Sequence, residues 1–162
     1  MLINILMIII GIVILLAFES FFSTLCAFSV AIIIALTLLE KWDWKKWSIV
    51  VFFTSIFIDI ILYRSLGVTL LSISLSVLTL YTLFLVIPKK QILLSYIPYF
   101  LSVLLFYILL WVLSSFLEDG VFEVFSFQVF LNYLFKSLLS TILIFVVNIL
   151  NSRFRTEKRI SI

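Results

Sequence analysis

Histidine is absent from the 162 residues, and cysteine occurs once, at Cys26. Without histidine, the common zinc sites and imidazole acid–base chemistry are excluded. A single cysteine excludes an internal disulfide and a thiolate metal cluster. Only 3 glycines and 2 prolines are present, and nothing reads as a linker or a low-complexity segment. No internal repeat is visible, so one compact domain is expected. Charge is scarce as well: 12% of residues are Asp, Glu, Lys or Arg, against about 25% in soluble domains.

What fills the space is hydrocarbon. Hydrophobic residues make up 65% of the chain and the mean hydropathy is +1.40. Too few polar side chains remain to cover a soluble globule, so the bilayer must solvate most of the surface. The fold expected is an all-α integral membrane protein. Six apolar segments are long enough, or nearly so, for the roughly 20 residues that a span needs. They are residues 2–18, 25–39, 47–63, 66–87, 91–117 and 126–150. Barrel strands are excluded because the runs far exceed about 10 residues and lack alternation. The opening run, MLINILMIIIGIVILLAF, lacks a basic flank and a small-residue cleavage site, and reads as a retained first span.

Basic residues orient the bundle. With the N-terminus in the cytoplasm, the inside loops hold Lys41, Lys45, Lys46, Lys89, Lys90, Arg153, Arg155, Lys158 and Arg159, nine of the 11 basic residues. The outside loops hold Glu19, Glu118, Asp119 and Glu123, with Arg64 near one edge. This is the positive-inside pattern, and it places both termini in the cytoplasm. Trp42, Trp44 and Trp47 flank the first inside loop as an interfacial aromatic belt. The basic tail reads as a topology determinant in contact with lipid headgroups. No nucleic-acid partner is expected.

Stripes of small and hydroxyl residues mark the faces that pack in lipid. Ser23, Ala27, Ala31 and Ala35 recur every fourth residue on the second span, and Thr69, Ser72, Ser76 and Thr79 follow a 3-4-3 spacing on the fourth. On the sixth, Asn132, Lys136 and Ser140 share a face that should look into the bundle.

The most polar stretch at membrane depth is Ile58 to Val68, with Asp59, Arg64 and Gly67. An ionisable residue there is costly and needs a partner. The third and sixth spans run in opposite directions, and side chains lean toward the N-terminus of their helix. Asp59 therefore leans inward and Lys136 outward, which favours a buried Asp59–Lys136 pair. Snorkelling of Lys136 to the outer headgroups, or contact with groups around Arg64, is the alternative. Arg64 is a poorer partner for Asp59, because a spacing of five residues sets the two about 140° apart. With one intramembrane carboxyl and no nucleophile–base set, neither enzyme activity nor a cofactor or metal is expected.

The sequence Asp59-Ile60-Ile61-Leu62-Tyr63-Arg64-Ser65-Leu66-Gly67-Val68 resembles the signature of the MreD family of rod shape-determining membrane proteins. There, an Asp near the end of a span is followed seven and eight residues later by Leu-Gly, and then by a span rich in small residues. Asp59, Leu66 and Gly67 match that spacing; Tyr63 and Arg64 stand where the family usually has a small residue. The resemblance implies a fold similar to the six-helix substrate-binding (S) subunits of energy-coupling-factor vitamin transporters. It also implies a non-enzymatic scaffold in the bacterial cytoplasmic (inner) membrane, within the elongation machinery that makes lateral peptidoglycan. Its partners would be an MreC-like single-span protein, an MreB-like filament and the glycosyltransferase–transpeptidase pair, besides membrane lipids. Asp59 would then fix a helix pair, and Gly67 would permit a turn with positive φ. The alternative on the same fold is a transporter S subunit, with Asp59, Arg64, Asn132 and Lys136 available to line a polar pocket.

Overall fold

A computed structural model describes residues 10–11, 13–21, 28–39, 41–87, 96–119 and 126–160, the last ten of these by backbone only. Those residues are helical or lie in short connections, and no strand occurs among them. Residues 10–11 and 13–21 form the described part of α1. Then follow α2 (Val30–Leu39), α3 (Trp44–Ile61), α4 (Val68–Val86), α5 (Ile97–Ser114) and α6 (Phe127–Ile160). A π-helical turn, Ser115–Asp119, closes α5.

Three of the expected spans are met closely, because each is a long apolar run with a definite stop. The segments Val68–Val86, Ile97–Leu117 and Phe127–Leu150 are long and apolar enough to cross a membrane. They mark the chain as a membrane-embedded helical protein. Pro98 lies in the first turn of α5, where a missing N–H costs nothing because it would have no intrahelical partner. The expected start of this span, residues 91–95, lies outside the described residues, as do most of the first span and residues 25–27 of the second. The sixth helix differs from expectation. Instead of stopping at Leu150, its backbone runs helically to Ile160, carrying the basic tail as a continuation. No proline or glycine interrupts it there.

The packing is inverted relative to a soluble protein. On α4, Thr69, Ser72 and Ser76 are buried, while Leu71, Leu75 and Leu78 are exposed. On α6, Ser137 and Ser140 are buried, while Leu131, Phe135, Leu138 and Ile142 are exposed. Water would favour the opposite arrangement; lipid favours this one, because small residues let backbones approach and leucine costs nothing against acyl chains. Ala31 and Ala35 on α2 are buried as their spacing predicts. Ala27 lies outside the described residues. The exception is Thr79, which is half-buried and returns its hydroxyl to Leu75 O. The Ser72 and Ser76 hydroxyls likewise donate back to Val68 O and Ser72 O, so the stripe packs without leaving those groups unpaired. The most extensive helix contact is between α4 and α5, followed by α5 with α6. The core is built from Ile32 and Leu36 of α2, Trp47 of α3, Ile73 and Val77 of α4, Val103 and Phe106 of α5, and Ile144 of α6.

Candidate functional site

The stretch that joins α3 to α4 is a closed corner. α3 ends in a Schellman pattern: Tyr63 N–H donates to Ile60 O at 3.3 Å and Arg64 N–H to Asp59 O at 2.8 Å. Such an end needs one residue in the left-handed region, usually glycine. Here Tyr63 takes it, with φ 53°. The family pattern's small residue is therefore absent, yet the turn forms. Tyr63 is 94% exposed, so the bulky side chain meets nothing that would forbid it. A second left-handed residue follows at Gly67, φ 94°, as expected. Leu66 points outward, 69% exposed.

Asp59 is fully buried at this corner. Its carboxyl accepts Gly67 N–H at 2.8 Å and Thr69 N–H at 3.2 Å. Those are the free amides at the start of α4, which have no intrahelical acceptor. The helix end also carries partial positive charge, so it suits an acidic group. One side chain thereby caps the helix that follows its own. The expected Asp59–Lys136 pair does not form, and the reason is this prior commitment to backbone. Nor does Asp59 pair with the Arg64 guanidinium: among the described residues the one ion pair is Lys46–Asp43, at 3.8 Å on the surface. Lys136 is half-buried and lies 5.2 Å from the centre of the Tyr133 ring on its own helix. Asn132 is exposed, so only Ser140 and the neighbouring Ser137 of that face are fully buried.

A second buried carboxyl repeats the device. Glu19, expected in an outside loop, is 2% exposed, because the first helix continues through residue 21 and Glu19 meets the start of α2. Its Oε2 accepts Ala31 N–H at 2.8 Å, with the Ser29 hydroxyl and Val30 N–H also in hydrogen-bonding reach. The adjacent Ser29 N–H donates to the Tyr107 hydroxyl at 2.9 Å, which lies 3.2 Å from Ser140 Oγ. Tyr107 stacks on Tyr133 with rings 4° from parallel and centroids 6.1 Å apart. Glu19, Ser29, Tyr107 and Ser140 thus stitch α1, α2, α5 and α6 together.

Sequence reasoning missed this junction. The signal available was positional: an acid near the end of one helix, with the next helix starting 9 to 11 residues on, at Val68 after Asp59 and at Val30 after Glu19. Just past the middle of α2, Trp47 Nε1–H donates to Ala35 O at 2.8 Å, locking α2 to the first turn of α3.

Chemically, both carboxyls are spent on backbone amides. Among the described residues, no group of three or more His, Cys, Asp or Glu is placed to hold a metal ion. Fold and site together define a membrane-embedded helical bundle with an apolar core and two buried carboxyls bonded to backbone amides. No family model matches the chain, and neither a curated protein nor a solved structure shows significant similarity to it.

Proposed function

We propose that the chain is a non-enzymatic membrane scaffold of the bacterial cell-elongation machinery. It would sit in the cytoplasmic membrane with six spans and both termini inside, and support lateral peptidoglycan synthesis through an MreC-like single-span partner. The observation that carries this reading is the corner at Asp59. Of the residues that resemble the MreD signature, Asp59 caps this corner and Gly67 turns it, while Leu66 lies exposed between them. A carboxyl that accepts the Gly67 and Thr69 amides is placed to hold shape. The apolar outer faces of α4 and α6 leave ample surface for a partner span. An MreB-like filament and the peptidoglycan synthases would assemble on the same platform. The test is genetic: deleting the gene in its host should round the cells, and re-expression should restore rods. Cells that keep their shape would overturn the reading.

A second reading is favoured by the polar groups inside the bundle. Glu19, Tyr107 and Ser140, with Lys136 one turn before Ser140 on α6, resemble the start of a ligand pocket in an S-type transporter subunit. It ranks lower because the carboxyl, amide and hydroxyl groups are already bonded to one another. The Ala31/Ala35 face also lies on α2, whereas S subunits dock their coupling subunit through such a face on the first span. Copurification with an ATPase-coupled membrane subunit would reverse that order.

A further inference from the structure

Helices α3 and α4 are fastened at the Asp59 corner, but they pack less extensively than α4 and α5 do. Between them lies a groove of about 460 Å³, open on one side. Trp44, Trp47 and Phe52 line it from α3, and Leu75, Leu78 and Tyr81 from α4. Its mouth is aromatic: Trp44 stacks on Trp47 at 4.9 Å and meets the edge of Tyr81 at 6.3 Å. Tryptophan and tyrosine favour the depth where hydrocarbon gives way to headgroups.

Length selects the occupant. Along α4 the groove runs from Leu70 to Tyr81, about 16 Å at 1.5 Å per residue. That matches one leaflet, half of the roughly 30 Å hydrocarbon core. A partner's spanning helix would cross both leaflets and needs a trough about 10 Å wide. Charge selects the headgroup. Lys45 is exposed and sits one turn before Ser48 on the same ridge of α3, three and seven residues from Ser48 and Phe52, which line the groove. Lys46 is loosely paired with Asp43, whereas Lys45 has no ion-pair partner among the described residues. Residues 40–46 carry Lys41, Lys45 and Lys46 against Glu40 and Asp43, a net charge of +1, so this end favours an anion.

We infer that the groove between α3 and α4 is a binding site for an anionic phospholipid, with an acyl chain along Phe52, Leu75 and Leu78 and the phosphate at Lys45. Trp44 and Tyr81 frame the ester region between them. This goes beyond the scaffold reading and does not depend on it: an MreC-like partner could fail to bind while the lipid remains.

The test is native mass spectrometry of the full chain in mild detergent, with phosphatidylglycerol or phosphatidylcholine of identical chains added. Phosphatidylglycerol should be retained about fivefold better, the preference one near-surface lysine confers, and added salt should erode it. Lys45→Gln should abolish the preference and leave chain binding. Ser74→Trp, from an exposed position in the groove, should remove both lipids; if its helical circular dichroism shows misfolding, Leu78→Trp replaces it. Equal retention of the two lipids, an undiminished preference in Lys45→Gln, or full retention in the folded tryptophan variant would each overturn the site. So would a second copy of the chain or another polypeptide in the spectrum that is lost in the same tryptophan variant.

Discussion

At the residue scale, the corner rests on three backbone problems, each with its own solution. Gly67 supplies φ 94°, and an added Cβ there would meet nothing within 4 Å. Its cost is therefore conformational alone. Gly67→Ala should destabilise by about 1–2 kcal/mol, the penalty of the left-handed region for an L-residue, read by unfolding in mixed micelles. Tyr63 already carries that penalty, with an exposed side chain. Tyr63→Gly should raise stability by up to about 1 kcal/mol, since relief of strain outweighs the added backbone freedom of glycine. Asp59→Ala orphans the Gly67 and Thr69 amides and should cost about 2–3 kcal/mol, with Asp59→Asn falling between. Ser102 adds an inverse case. Its buried hydroxyl has no hydrogen-bond partner, so Ser102→Ala should stabilise the fold by about 1 kcal/mol.

At the element scale, α2 stands apart. Its ten residues reach about 15 Å, half the hydrocarbon thickness. It holds its place by its ends: Glu19 at the start and Trp47 beyond the middle. Tyr107→Phe removes the acceptor for Ser29 N–H and should cost about 1–3 kcal/mol, more than Ser140→Ala, which loses only the hydroxyl contact. Comparison of the two unfolding midpoints checks this.

Much of this level was readable beforehand. The small-residue stripes pointed to Ala31, Ala35, Thr69, Ser72 and Ser76 as packing positions, and all five are buried. Their spacing is local, and helix geometry is regular enough to project it onto a face. The long runs of α4, α5 and α6 were equally plain, because length and hydropathy are additive along the chain. The partners of buried acids were not readable. The lean of the side chains favoured Lys136 for Asp59, but the decisive acceptor demand came from the start of α4, eight residues along the chain. Free amides at a helix start are present in every sequence and visible in none. Glu19 was misplaced for the same reason.

At the scale of the whole molecule, the two buried carboxyls fasten helix starts, while large apolar side chains both fill the core and cover the outer faces of α4 and α6. Under the scaffold proposal, a bundle braced at Glu19 and Asp59 would serve as a stiff platform for a partner span. The most direct test of that account is copurification after mild solubilisation, with wild type, Asp59→Ala and Lys136→Ala compared. Wild type and Lys136→Ala should both bring down an MreC-like single-span protein, and Asp59→Ala should lose it along with its thermal stability. A folded wild-type chain recovered alone, or loss of the partner in Lys136→Ala while Asp59→Ala retains it, would contradict the account.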